Sequence, residues 1–269
     1  MLKILLPTDF SGNAQNAIDY AVYLLEKEYC TFFLLHAYHD APSAPTNKLQ
    51  TKNDLKRLAS TIASNNNNAK HSFKTILEND SLINLLNRTV SNEQADFVFM
   101  GTKGSSSLGN VFLGSSTVDA IRHLVYCPVV AIPKDYDYNL PEEILFASDY
   151  KHKFNPAELV GLIKLSKLWD SRVTILHVHT EKELDEDQKQ NKGILEQGLR
   201  NLEVNFLEAT MQDTIAATLF QFRQENPEVG IISVLRTKHG YFQSLLRENV
   251  IKNITFHTKV PLLVLPMTE

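Results

Sequence analysis

The second half of this 269-residue sequence repeats the pattern of the first half. A short apolar run that ends in aspartate, Ile4–Asp9, recurs as Ile144–Asp149. Both halves also end in four apolar residues enclosed by two prolines. A repeat of this length indicates two similar domains rather than one large core. We therefore expect one domain at residues 1–138 and a second at residues 139–269.

Apolar runs of strand length alternate with longer amphipathic stretches in both halves, which is the pattern of a βαβα chain. Phe32–Leu35 and Phe97–Met100 are apolar throughout, as is typical of parallel strands covered by helices on both faces. Val173–Val178 and Val229–Leu235 are the inner strands expected in the second half. The predicted fold class is α/β, with two tandem open twisted parallel sheets and a Rossmann-like order of elements.

Helices are predicted between these strands. Apolar residues recur at spacings of three and four between Ala14 and Leu25, which predicts a helix with Ser11 as its N-cap. In the second half, helices are predicted at Pro156–Trp169, Glu183–Asn201 and Thr214–Glu225. Asp213 is a candidate cap for the last of them. The four consecutive asparagines Asn65–Asn68 favour a surface turn over a helix interior.

The composition argues against several classes of partner. The chain has 27 basic and 31 acidic residues, a net charge of −4, and so gives no reason to expect a nucleic-acid-binding surface. No apolar run reaches the roughly 18–20 residues that cross a bilayer, which argues against a membrane partner. The two cysteines, Cys30 and Cys127, form no C-x-x-C pair. A reducing cytoplasm is the expected location.

A glycine motif follows the predicted strand Phe97–Met100. It has the spacing Gly-x2-Gly-x9-Gly-Ser and contains Gly101, Gly104 and Gly114. Such a strand-to-helix crossing is where open α/β sheets bind ligands, and free amides at a helix start can bind an anion. The spacing matches neither the Walker A motif nor the dinucleotide fingerprint. The alternative is that the glycines serve only the turn.

Together, the first-strand aspartate, the glycine motif and the order of elements resemble the universal stress protein family. The resemblance covers the whole chain as a tandem pair, and implies five-stranded sheets with the adenine nucleotide alpha hydrolase-like fold. It also implies that ATP binds at the glycine motif. The residues expected at the phosphates are Gly101, Gly104, Gly114, Ser115 and Ser116. Those expected at the nucleoside end are Pro7, Thr8, Asp9 and Ala37, and Met100 is placed in the same site.

The second half departs from this pattern. Aligning Thr237-Lys238 with Thr102-Lys103 puts Arg236, His239 and either Arg247 or Asn249 where the three glycines would stand. Side chains there would fill the space that a phosphate needs. We therefore expect that the second half does not bind ATP in the same way, although it keeps Asp149. The alternative is an anion site formed by the basic residues Arg236, Lys238, His239 and Arg247.

Two other sites are weaker candidates. His177 and His179 lie on one face of a predicted strand and could share a zinc ion, with Asp40 or Glu181 as a further ligand. Ser105–Ser107 could close over phosphates, accept a phosphate, or be an ordinary polar loop. No G-x-S-x-G elbow is present, and we expect no catalytic residues and no protein-bound metal.

These observations predict a cytoplasmic stress-response protein that binds ATP, with or without Mg²⁺, in its N-terminal repeat and acts as a sensor or regulator. One alternative is a slow ATPase or autophosphorylating enzyme, and another is an interaction protein without a nucleotide. The resemblance implies that repeats pair through their last strands. Val129–Ile132 and Leu262–Leu265 are the runs expected to pair within the chain, and two chains could also form a homodimer.

Overall fold

The computed structural model describes residues 1–39, 47–102, 114–134, 136, 138–179, 183–237, 241, 243–244 and 260–268. They divide into two compact units. The first unit is Met1–Ser107 with Leu113–Lys134, and the second contains Asp135–Glu269. None of the helices in the described part of the chain has the length and apolarity that a membrane span requires.

The first unit has a parallel five-stranded sheet connected by helices. Its elements are β1 (Leu2–Pro7), α1 (Gly12–Leu24), β2 (Cys30–Tyr38), α2 (Lys48–Asn66), β3 (His71–Asn79), α3 (Leu82–Glu93), β4 (Phe97–Gly101), α4 (Ser115–His123) and β5 (Val129–Ile132). The strand order is β3-β2-β1-β4-β5. The order therefore reverses between β1 and β4, which is the switch point where such sheets bind ligands.

The second unit also has five parallel strands. Its elements are β6 (Glu143–Ala147), a 3₁₀ turn (Pro156–Leu159), α5 (Val160–Trp169), β7 (Arg172–His179), α6 (Glu186–Leu199), β8 (Val204–Thr210), α7 (Ile215–Glu225), β9 (Val229–Leu235) and β10 (Leu262–Leu265). The strand order is β8-β7-β6-β9-β10. The predicted α/β class with parallel strands is confirmed.

The continuous apolar runs form the cores of the two sheets. Phe32–Leu35 and Phe97–Met100 are buried, as are all residues of β9. A parallel strand with helices packed on it has no water-facing side, so it needs apolar residues at every position. This is why these strands could be read from the sequence.

Some helix boundaries agree with the predictions and others do not. Ser11 caps α1, because its hydroxyl accepts a hydrogen bond from the amide of Ala14 at 3.2 Å. The prediction that Asp213 caps α7 is wrong. Thr214 is the cap, and its hydroxyl accepts from the amide of Ala217 at 3.0 Å. The asparagine run was also partly misread, since α2 continues to Asn66 and only Asn67 adopts the left-handed conformation.

Strands β3 and β8 and helix α2 were not located from the sequence. In each unit's own strand order, β3 and β8 are the last strands on one side. Their residues are half-buried or exposed throughout, with no continuous apolar run. Helix α2 buries only Leu55, Ala59 and Ile62 of its 19 residues. Elements with so little apolar surface give a weak signal in the sequence.

Candidate functional site

A cavity of about 220 Å³ opens beside the carboxyl ends of β1, β2 and β4 in the first unit. The predicted site residues that line it are Pro7, Thr8, Asp9, Ala37, Met100, Gly101, Gly114, Ser115 and Ser116. The remaining predicted residue, Gly104, lies outside the described residues, as do Lys103 and Ser105–Ser107. The cavity is also lined by Ala14, His36, Leu82 and Thr117, which the sequence did not mark as binding residues.

A tight turn after β1 presents Asp9 at the cavity. The last backbone bond of the strand runs from the amide of Thr8 to the carbonyl of Leu35, at 2.8 Å. The Asp9 carboxylate then accepts from the amide of Ser11 at 3.0 Å, and the Thr8 hydroxyl accepts from the amide of Phe10 at 3.0 Å. Phe10 has a φ of 61°, a conformation uncommon for a residue with a side chain. The turn thus leaves the exposed Asp9 at the rim of the cavity.

The backbone of Ala37 provides a donor and an acceptor at the cavity wall. The amide and the carbonyl of one strand residue point toward the same neighbouring strand, and those of the next residue point toward the opposite side. Because the carbonyl of Leu35 accepts from Thr8, the polar groups of Ala37 also point toward β1. The pairing between β1 and β2 ends at Pro7 and Leu35, however. The N–H and C=O of Ala37 therefore lie beyond the end of β1 and face the cavity that this residue lines.

His36 fixes the turn after β1 from the neighbouring strand. Its Nδ1 lies 2.7 Å from the carbonyl oxygen of Thr8. A carbonyl only accepts, so Nδ1 is the protonated nitrogen of this imidazole. The ring also packs against Phe10, with centroids 4.9 Å apart. This role of His36 could not be predicted from the sequence, because its contact with Thr8 joins residues that are 28 positions apart in the chain.

Bare main-chain amides at the start of α4 form the other side of the cavity. The first amides of a helix have no acceptor within the helix, and a capping side chain normally takes one. Ser11, Asn47 and Ser81 perform this role for α1, α2 and α3. Helix α4 is capped by Gly114, which offers no side chain. Among the residues with described positions, no side chain caps the first-turn amides of α4, which are therefore available for an anion.

Gly101 has a packing role in addition to its place in the cavity wall. A Cβ atom at this position would lie 2.7 Å from the backbone oxygen of Asn13 in α1. The residue is needed because β4 and α1 approach closely, and not because of a left-handed backbone. The carbonyl of Gly101 also accepts a hydrogen bond from the Thr117 hydroxyl at 2.8 Å. This bond fixes the start of α4 against the end of β4.

The second unit repeats the turn after its first strand, but the space lined there by its described residues is much smaller. The amide of Lys151 donates to the Asp149 carboxylate at 3.1 Å, and that of Tyr150 donates to the Ser148 hydroxyl at 3.2 Å. Tyr150 has a φ of 55°. The space at this place has a volume of only about 10 Å³, and Tyr241 and Leu235 are among the residues that line it. Burial raises the pKa of the Asp149 carboxyl.

The strand register corrects the predicted alignment of the second half by one residue. Gly101 pairs with Ile132, the last residue of β5, and Leu235 pairs with Leu265, the last residue of β10. Leu235 therefore stands where Gly101 stands in the first unit, and Arg236 corresponds to Thr102. A leucine side chain thus lines the small space of the second unit at the position where the first unit has a glycine. Lys238, His239, Arg247 and Asn249 lie outside the described residues.

The side chains proposed as zinc ligands have other partners. Nδ1 of His177 lies 3.0 Å from the carbonyl oxygen of Ser148, and Nε2 of His179 lies 3.0 Å from the Glu208 carboxylate. Among residues with described positions, no group of three or more histidine, cysteine or acidic side chains is arranged to hold a metal. Asp40 and Glu181, the further ligands considered, are outside the described ranges.

Comparison with known proteins supports the family resemblance for the first half of the chain. The model of the universal stress protein family matches residues 1–133. No curated protein sequence matches the chain. A universal stress protein from Archaeoglobus fulgidus DSM 4304 is 16% identical, with 98% of each chain covered and a TM-score of 0.69. A putative universal stress protein from Pseudomonas aeruginosa UCBPP-PA14 is 13% identical, with 98% of this chain and 92% of that chain covered and a TM-score of 0.57. At these identities the two structures establish the fold alone.

Proposed function

We propose that the chain is a tandem universal stress protein, with domains at residues 1–138 and 139–269, that binds ATP in its N-terminal repeat. Nucleotide binding would make it a cytoplasmic sensor or regulator. The family match to residues 1–133 supports the proposal. The observation on which it chiefly depends is the cavity of the first unit, where backbone donors, a carboxylate and uncapped helix amides line one space.

Each part of a nucleotide has a suitable partner in this cavity. The N–H and C=O of Ala37 suit the edge of adenine, which has an amino donor beside a ring-nitrogen acceptor. The Asp9 carboxylate suits the ribose, because hydroxyls donate and a carboxylate accepts more than one such bond. The amides at the start of α4, with the exposed Ser115 and Ser116 hydroxyls, suit phosphate oxygens. The cavity is smaller than the roughly 300 Å³ at the low end for drug-sized ligands. We therefore place the phosphates at its rim.

The lining residues favour binding over rapid hydrolysis. Phosphoryl transfer needs charge stabilisation, usually from a metal ion together with lysine or arginine. Among the described residues of the cavity wall, Asp9 is the single carboxylate, and none is a lysine or arginine. The Asp9 carboxylate accepts from the amide of Ser11. We therefore propose that Asp9 orients the ribose, and that any Mg²⁺ arrives with the nucleotide.

Calorimetric titration with ATP, ADP, AMP and GTP tests this proposal. We expect one adenine nucleotide per chain and no binding of ATP to the Gly114→Asp variant. Aspartate is a preferred N-cap, and Gly114 has the extended conformation that a cap requires, so the helix should still form. The new carboxylate would accept hydrogen bonds from the first-turn amides of α4, and its negative charge would repel phosphate.

The matched control is Gly193→Asp, which places the same residue in α6 of the second unit, where a Cβ meets nothing within 4 Å. This variant should bind ATP as the parent does. Equal ATP affinity in the parent and in Gly114→Asp would refute the site. Native mass spectrometry of the same samples measures bound nucleotide and assembly. The pairing of Val129–Ile132 with Leu262–Leu265 and the homodimer remain predictions from the sequence.

A further inference from the structure

We propose that Tyr241 is an internal ligand of the second unit, where its phenol occupies the place of a nucleobase and closes this unit to adenine. The comparison with the first unit rests on the proposed function, since it takes Ala37 as the partner of the base. The hydrogen bonds of Tyr241 are independent of that assumption. They lead to a test that is separate from ATP binding.

Strand register identifies Val178 as the counterpart of Ala37. In the first unit the carbonyl of Leu35 accepts from the residue after β1, and Ala37 lies two residues further along β2. In the second unit the carbonyl of Leu176 accepts from Ser148, the residue after β6, at 3.1 Å. Val178 lies two residues beyond Leu176 on β7. Its N–H and C=O therefore point past the end of β6, as those of Ala37 point past the end of β1.

One hydroxyl group binds both of these backbone groups. The Tyr241 oxygen accepts from the amide of Val178 at 2.9 Å and donates to the carbonyl of Val178 at 2.7 Å. A phenol can do both, because it has one O–H donor and acceptor lone pairs. The edge of adenine would satisfy the same donor and acceptor with two separate atoms. The phenol thus makes the hydrogen bonds that a base would make.

The side chain also fills the space. Tyr241 is 6% exposed and, with Asp149, lines a space of about 10 Å³, against about 220 Å³ for the cavity of the first unit. In the same unit, Tyr150 and the fully buried His177, the neighbour of Val178 in β7, stack with centroids 5.0 Å apart. A base could enter only if the phenol left.

Removing the phenol in an otherwise unchanged chain tests this proposal. We expect Tyr241→Ala to bind one more adenosine per chain than the parent, and calorimetry measures this stoichiometry. Tyr241→Phe is the matched control, because it keeps the ring and loses only the hydroxyl, and it should show no additional adenosine site. Adenosine binding to the second unit with Tyr241 present would overturn the proposal. So would a Tyr241→Ala chain that has the parent circular dichroism spectrum and binds no more adenosine than the parent.

Hydrogen exchange provides a second test that does not require the alanine variant to fold. In otherwise unchanged protein, the amide of Val178 should exchange at least about tenfold faster in Tyr241→Phe than in the parent, because it loses its acceptor. Equal exchange rates would contradict the role of the hydroxyl. If the unmodified chain binds no ATP, the proposed function fails. The exchange rates and the adenosine titration of Tyr241→Ala would still decide the role of Tyr241.

Discussion

The imidazole of His36 donates a hydrogen bond from Nδ1 to the main-chain carbonyl of Thr8, 2.7 Å away. The second unit has the same relationship, at 3.0 Å, between His177 and Ser148. In both units the carbonyl belongs to the residue just before the aspartate. A side chain of one strand thus fixes the turn that follows its neighbour, and so fixes the position of Asp9.

We expect His36→Ala to weaken ATP binding by roughly two- to tenfold, the value of one hydrogen bond of about 0.5–1.5 kcal/mol. The turn at Asp9 would lose the hydrogen bond from His36, while the Asp9 side chain would remain. His36→Asn is the matched variant, because its amide can donate from a position near that of Nδ1, and it should bind within about twofold of the parent. Calorimetric dissociation constants measure both. Parent-like affinity in His36→Ala would show that the turn needs no such anchor.

Gly101→Ala should destabilise the first unit by about 1–3 kcal/mol, the usual cost of overpacking. The new Cβ would meet the backbone of Asn13, which cannot move without shifting α1. Gly193→Ala is the comparison, since its Cβ meets nothing within 4 Å and alanine should stabilise α6 by roughly 0.5–1 kcal/mol. Scanning calorimetry of both variants gives the change in unfolding temperature. The packing explanation would be wrong if Gly101→Ala unfolded at the temperature of the parent.

Thr214→Ala should cost about 0.5–2 kcal/mol of stability, because α7 loses its N-cap hydrogen bond. Asp213→Ala should change stability much less, although the sequence had favoured Asp213 as the cap. Urea unfolding followed by tryptophan fluorescence is a suitable measurement. Trp169 is the one tryptophan of the chain and lies in the second unit, as α7 does. A larger loss for Asp213→Ala would reverse this assignment.

Glu158 should make the second unit sensitive to acid. Burial opposes its ionisation, but hydrogen bonds from His152, Asn155 and Thr268 together hold the pKa of this carboxyl below its ordinary value. A carboxyl whose pKa is lower in the folded state than in the unfolded state stabilises the fold at pH values above its unfolded-state pKa of about 4.3. This stabilisation is lost as the pH falls through the folded-state pKa.

The free energy of unfolding of the second unit should therefore decrease as the pH is lowered from about 5 to the pKa that Glu158 has in the folded state. Glu158→Gln should be less stable than the parent at pH 7, and the difference should shrink as the pH falls below about 4.3. Trp169 fluorescence in urea at several pH values measures this. Glu142→Gln, at an exposed glutamate, should follow the parent. A constant difference between the parent and Glu158→Gln from pH 7 to pH 3 would exclude the mechanism.

Elements with a strong local signal could be predicted from the sequence, and elements without one could not. Buried strands such as β4 were recognised because each of their positions is apolar, and Ser11 was recognised because capping depends on residues three apart. Strand β3 was missed because its half-exposed residues resemble those of a loop. The position of Leu235 was misjudged by one residue, since strand pairing fixes register and spacing along the chain does not.

The sequence by itself determined the repeated order of elements, the α/β class, the N-cap at Ser11 and the strand-to-helix crossing at the glycine motif. These features depend on residues close together in the chain, and their apolar pattern or turn chemistry can be read locally. Only the tertiary structure decided that one cavity is open and that Tyr241 fills its counterpart on Val178. Tyr241 and Val178 are 63 positions apart and are brought together by folding, and hydrogen bonds across such a distance leave no pattern in the sequence.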